Sequence, residues 1–238
     1  MKYKNVVKGK FISRPNRFIA RVEIDGTEET VHVKNTGRCK ELLPKGAAVY
    51  LSVSDNPSRK TKYDLIAVKK ERDGKAPLLI NMDSQIPNDV CEEWLKKGLL
   101  FSPDAVIKRE YTYKSSRFDF YIEDGERKIF LEVKGCTLEN GGIASFPDAP
   151  TERGVKHIKE LTSALNDGYE CYIFFVVQMK EICQIRPNDI THKEFGDTLR
   201  EAHKKGVKVI AYDCIVTPDE IVIDKEITVN LTTEEGIL

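Results

Sequence analysis

The chain has 238 residues, 40% hydrophobic and 32% charged, with 38 basic side chains balanced by 38 acidic ones. That apolar fraction excludes a disordered chain, and the length is enough for one large domain or two ordinary ones. The longest apolar run, inside Tyr172–Gln178, is far short of the roughly 18 residues of a bilayer-spanning helix.

Residues Met1–Asn5 lack the apolar stretch of a secretory signal, so a cytoplasmic protein without membrane contact is expected. Six cysteines (Cys39, Cys91, Cys136, Cys171, Cys183, Cys214) are scattered with no CxxC pair and no neighbouring histidine, which argues against a zinc finger or a disulfide framework. The zero net charge hides an asymmetry. Residues 1–85 carry 18 basic and 10 acidic side chains, whereas residues 86–238 carry 20 and 28. A basic module of +8 therefore precedes an acidic one of −8, a division that suits a polyanion-binding unit joined to a carboxylate-bearing one.

In residues 1–85, alternating apolar patterns predict five strands: Tyr3–Ile12, Arg17–Ile24, Thr30–Val33, Ala47–Val53 and Asp64–Lys69. Turn material separates them, notably Asp25-Gly26, and Gly37–Leu43 reads as one short helix ended by Pro44 and Gly46. Five strands with a helix between the third and fourth suggest an OB-like β-barrel, or another small antiparallel barrel. Aromatics suited to base stacking are few (Phe11, Phe18, Tyr50 and Tyr63), so phosphate contact through Arg17, Arg38 and Lys40 is the better-supported mode.

From residue 86 the pattern becomes mixed α/β. A helix over Asn88–Lys97, capped by Asn88 and stopped at Gly98, precedes a β-meander of Val106–Tyr113, Arg117–Ile122 and Lys128–Thr137. Thr151 caps a helix reaching about Asn166, followed by the buried-type strand Cys171–Gln178. A helix over His192–Lys205 leads into a strand over Val207–Ile215. A partly parallel sheet is expected.

The chemistry concentrates in Arg117-Phe118-Asp119-Phe120 and Phe130-Leu131-Glu132-Val133-Lys134-Gly135. Residues two apart on a strand share a face, so Glu132 and Lys134 project together. Asp119 lies across the hairpin, with Phe118 and Phe120 expected on the opposite face. Two hard carboxylates suit Mg²⁺ or Mn²⁺, and the lysine would orient water and stabilise charge developing on a phosphate. Glu110, one strand earlier, is a further candidate metal ligand. Charged strands bearing E-x-K are common on solvated sheet faces, but Ile129, Phe130, Leu131 and Val133 make an exposed bridge an expensive explanation here.

The spacing Asp-(x12)-Glu-x-Lys resembles the core of the PD-(D/E)XK nuclease-like superfamily. The wider sequence resembles the sugar fermentation stimulation protein A (SfsA) family over nearly the whole length. The resemblance rests on Asn16-Arg17-Phe18, His32–Arg38, Glu41–Gly46, Ser116–Asp119, Leu131–Lys134, Thr137-Leu138 and, most distinctively, Phe146–His157. It implies an OB-like domain over residues 1–85 and a PD-(D/E)XK nuclease-like domain over 86–238, with Asp119, Glu132 and Lys134 as catalytic core. It also implies DNA as the partner and a link to regulation of sugar, notably maltose, metabolism, and it is compatible with a homo-oligomer.

At the Thr151 helix, backbone N–H groups, Arg153 and Lys156 are candidate phosphate contacts, with Arg117 beside them. His157 is a candidate DNA contact or proton shuttle, although a single histidine is more often structural, and Gln178 faces either metal or DNA or a sheet edge. Two functions follow: a metal-dependent DNA phosphodiesterase, or a non-catalytic DNA-binding regulator on a relic nuclease fold.

Overall fold

A computed structural model describes residues 1–35, 37 and 39–233. The first strands are β1 (Val6–Ser13), β2 (Ile19–Ile24), β3 (Thr27–Val33), β4 (Ala48–Val53) and β5 (Tyr63–Arg72). Asp25 and Gly26 both take the left-handed backbone (φ 49° and 80°) that a tight two-residue hairpin demands, which joins β2 to β3. Parallel pairing of β3 with β5, from Val31↔Tyr63 to Val33↔Leu65, closes the five strands into the expected barrel. The inward residues Ala20, Val22, Val31, Val49, Leu51 and Leu65 are fully buried.

Three details differ from expectation. A sixth strand, β6 (Lys75–Asn81), hydrogen-bonds to β5. Its pattern was masked by Pro77, which an edge strand tolerates because its missing N–H need not pair. In place of a helix before Pro44, Leu42 and Leu43 both donate to Cys39 O in a single turn. Tyr3 does not begin β1. With Asn5 in the left-handed region, residues 1–3 turn onto the second domain, where Tyr3 N donates to Asp219 O (2.7 Å).

The second domain begins with α1 (Ile86–Leu95) and the antiparallel meander β7 (Val106–Tyr113), β8 (Ser116–Asp124) and β9 (Arg127–Cys136). Short strands β10 (Glu139–Asn140) and β11 (Ile143–Phe146) precede α2 (Glu152–Leu165), whose cap Thr151 accepts from Gly154 N. Then come β12 (Glu170–Val177), β13 (Gln184–Pro187), α3 (Asp189–Lys204), β14 (Lys208–Val216), β15 (Ile221–Glu226) and β16 (Thr228–Val229). α3 starts before the expected His192, capped by Asn188, and non-helical His192 kinks its first turn.

The main sheet has the order β15-β14-β12-β9-β8-β7, with β9, β12 and β14 parallel. β12 is buried along almost its whole length because helices cover both faces. One face packs Leu131, Val133 and Phe174 against Trp94 and Leu95 of α1; the other packs Phe130 and Ile173 against Ile158 and Leu161 of α2. A smaller sheet has the order β10-β11-β13-β16.

Gln178, just past β12, is buried, and its Nε2 donates to Asn81 O, Asn81 Oδ1 and Asp83 O (3.2, 3.0 and 3.0 Å). It ties the barrel's last strand to the sheet, the structural one of the two roles expected of it. Among the described residues, no helix is long and apolar enough to cross a membrane.

Buried Asp64 on β5 accepts both arms of Arg59 (2.6 and 2.8 Å) and lies 3.0 Å from His32 Nδ1. Burial pushes its carboxyl up, but the Arg59 and His32 hydrogen bonds and the Lys34 charge prevail and lower it to about 2 from 3.8. A lowered folded-state pKa stabilises the fold above the unfolded value, and that stabilisation is lost as pH falls towards 2. Denaturant unfolding should show Asp64→Asn less stable than the parent by about 2 kcal/mol at pH 7, a gap that narrows below about pH 4. A gap that stays constant down to pH 2.5 would contradict this assignment.

Candidate active site

The site lies where the main sheet forks. β9 pairs with β12 from Ile129 through Cys136, but its ladder with β8 ends at Phe120↔Leu131. Beyond that point Val133 N donates to the Asp119 carboxylate (Oδ2, 2.7 Å). The side chain of Asp119 thus takes up a ladder donor as the strands part, as a buried N–H requires. Its other oxygen accepts from Asn88 Nδ2 (2.8 Å), on the first turn of α1.

The alternation of β8 also changes at Asp119. Phe118 packs on the α2 side, 4.9 Å between ring centroids from Phe130, whereas Phe120 belongs to the α1-side core. The two rings were expected on one face. Where cross-strand hydrogen bonds lapse, the strand is free to twist between them.

Glu132 is only 2% exposed. Its Oε1 accepts from Lys134 Nζ (2.5 Å) and lies 2.5 Å from His157 Nδ1, whereas its Oε2 is buried with no hydrogen-bond partner among the described residues. Burial pushes the Glu132 carboxyl up, but the Lys134 charge and the His157 hydrogen bond prevail and lower it to about 2. Asp119 moves the opposite way, raised by burial and by the Glu132 charge, with Lys134 and the Val133 N–H opposing. The fork therefore holds a firmly ionised carboxylate beside a more easily protonated one.

Arg153 Nε donates to His157 Nε2 (3.4 Å), which makes that nitrogen an acceptor and leaves the proton on Nδ1, facing Glu132. His157 is buried and turned inward. It positions the carboxylate, and its expected role as a DNA contact is not what the packing allows.

Asp119, Glu132 and Lys134 share a cleft of about 560 Å³ with Arg109, Glu110 and Arg153. Glu110 stands at the rim with a left-handed backbone (φ 53°), its carboxylate 3.2 Å from Arg117 Nη1. It is not gathered with Asp119 and Glu132 into a three-ligand group within 4.8 Å, because its charge is committed to Arg117. Lys156 is exposed and donates to Ser115 O (3.1 Å). Arg17 and Lys40 are exposed on the barrel, and Arg38 lies outside the described residues.

Asn88 and Arg109 were missed from the sequence. Asn88 reads as a helix cap, but Pro87 fits the first helical position and starts α1 earlier, which frees the Asn88 amide for Asp119.

Comparison with known proteins places this geometry in a family. Residues 85–220 match the sugar fermentation stimulation protein RE domain, and residues 12–76 match the SfsA N-terminal OB domain. The chain belongs to the SfsA family. A sugar fermentation stimulation protein homolog of Ruminiclostridium cellulolyticum is 58% identical over 97% of this chain and 100% of its own length. Another, from Clostridium beijerinckii, is 58% identical over 93% and 96%. The solved structure of Pyrococcus furiosus SfsA in complex with Ca²⁺ superposes with a TM-score of 0.85 at 29% identity, covering 97% of this chain and 98% of that one.

In this SfsA-family chain the donor set is all oxygen, and the partnerless Glu132 Oε2 is the kind of atom that a hard divalent cation satisfies. Long-range ¹H–¹⁵N spectra should show His157 with its proton on Nδ1, and His157→Ala should cost about 1–3 kcal/mol by leaving Glu132 short of a donor. An Nε2–H form would contradict the geometry.

Proposed function

We propose that this SfsA-family chain is a divalent-metal-dependent DNA phosphodiesterase. The observation that carries the reading is the buried Glu132 carboxylate, one oxygen held by Lys134 and His157 and the other without a partner, in a cleft shared with Asp119. The Ca²⁺ complex of the Pyrococcus furiosus relative supports an oxygen-ligated cation on this fold.

Asp119 and Glu132 would hold Mg²⁺ or Mn²⁺. When bound, the cation neutralises phosphate charge and acts as a Lewis acid. His157 and Asn88 keep the two carboxylates oriented, as hydrogen-bonded supports of ligands generally do. The Lys134 ammonium orients the attacking water and stabilises negative charge that builds on the phosphoryl oxygens. Arg153, exposed at the rim, draws the backbone phosphate in.

The second reading, DNA binding without cleavage, is favoured by the +8 charge of residues 1–85. It predicts affinity that falls steeply with salt as counterions are released, and no strand breaks with any metal.

Purified protein with Mn²⁺ should nick supercoiled plasmid, chelation should stop it, and Lys134→Ala should slow it by about 10²-fold or more. Nicking at an unchanged rate by Lys134→Ala would sink the mechanism. Salt-dependent binding with no nicking would leave the second reading.

A further inference from the structure

A second cavity, of about 230 Å³, opens beside the catalytic cleft and shares Ser84, Val133 and Lys134 with it. The barrel contributes Asn35 and Gly37; the second domain contributes Thr137, Ser145, Phe146 and Asp148. It is smaller than the roughly 300–1,000 Å³ of a drug-sized ligand site. Its walls close only because two side chains are missing. A Cβ on Gly37 would stand 2.0 Å from Asp148 Oδ2, and one on Gly135 would stand 2.5 Å from Pro87 Cγ and 2.6 Å from Gln178 Oε1.

Two polar side chains here, Asn35 and Asp148, keep capacity for a further partner. Asn35 Oδ1 accepts from Gly37 N (2.8 Å), while its Nδ2 has no partner among the described residues. Asp148 Oδ2 lies beside Asn35 Oδ1 around Gly37, and its carboxylate accepts from the backbone N–H groups of Asp148 and Ala149. An amide donor and a carboxylate acceptor lining one small cavity, with Phe146 in its wall, suit a planar molecule with a mixed donor and acceptor edge. A nucleobase has that form, but in a duplex its edge is paired and its faces are stacked.

The barrel rim adds an independent observation. Arg14 donates to Arg17 O (2.8 Å), Asn35 O (2.6 Å) and Gly37 O (3.0 Å), so one guanidinium fixes the Arg17–Phe18 turn against the loop that lines the cavity. Phe18 is 54% exposed there, available for stacking by a neighbouring base.

We propose that this cavity receives one unpaired base of a DNA strand whose phosphate lies against Lys134, so that the substrate is single-stranded or locally unpaired DNA. The placement of the phosphate rests on the phosphodiesterase reading; the cavity and the rim do not.

The test uses the full chain in EDTA and fluorescence anisotropy with three probes of equal length: a single-stranded DNA oligonucleotide, a strand made wholly of abasic sites, and a duplex. The base-bearing single strand should bind about tenfold or more tightly than either of the others, in line with the worth of a stacked and bonded base. Asp148→Asn should cut that preference about fivefold or more. Asn35→Asp, which keeps the acceptor for Gly37 N but loses the amide donor, should do the same.

Equal affinity for base-bearing and abasic strands overturns the pocket, as does a preference unchanged in both variants. The same probes with Mn²⁺ separate the two ideas. Base preference without cleavage supports the pocket and overturns the phosphodiesterase reading. Duplex and abasic strands cut as fast as the single strand would overturn the pocket and leave hydrolysis standing. No binding of any probe overturns both.

Discussion

The second domain is organised around one costly act, the burial of the Glu132 carboxylate in the middle of a sheet. An ionised group at that depth is tolerated only when charge and hydrogen bonds replace its water. Lys134, two residues along the same strand, and His157, one turn into α2, both converge on a single oxygen. The second oxygen has no partner among the described residues, so the compensation they supply is incomplete. Incomplete satisfaction of a buried acid concentrates where proteins hold something else, and here it lies at the mouth of a cleft.

The sheet's fork is the geometric counterpart of that electrostatics. β9 keeps its parallel partner β12 to its last residue but loses β8 beyond Leu131, and Asp119 and Glu132 both line the cleft at that fork. The Asp119 side chain replaces the lost backbone acceptor for Val133, so the same carboxylate serves as structural cap and candidate ligand. Asn88 and His157 come from helices on opposite faces of the sheet and fix one carboxylate each. The site is therefore assembled by packing from both sides of one strand pair.

The barrel is more than an appended binding unit, because its rim forms part of the same region. Gln178 binds the chain at Asn81 and Asp83, Lys70 pairs with Glu139 (2.6 Å), and residues 1–3 return to pack on the second domain. These ties join the two domains, and Asn35 and Gly37 of the barrel line the second cavity where it meets the cleft. A domain of net charge +8 thereby adjoins a cleft that holds two carboxylates.

Much of this was legible in the chain. Alternation and turn residues marked the five barrel strands and the meander, since period-two burial is a local consequence of strand geometry. Glu132 and Lys134 could be placed on one face because i and i+2 always share one. Long-range facts were not legible. Pro77 hid an edge strand, Asn88 read as a cap, His157 read as a surface contact, and Glu110 read as a ligand although Arg117 holds it. Pattern reports which side of an element is apolar, but which groups meet across elements depends on how the strands part, where the helices cross and which charges are already paired. The sequence by itself determined most of the elements, the two-domain order and the acid-acid-lysine set; only the tertiary structure decided that His157 and Asn88 hold that set and that Asn35 and Gly37 of the barrel line a cavity beside it, because those groups lie about 25 to 110 positions apart.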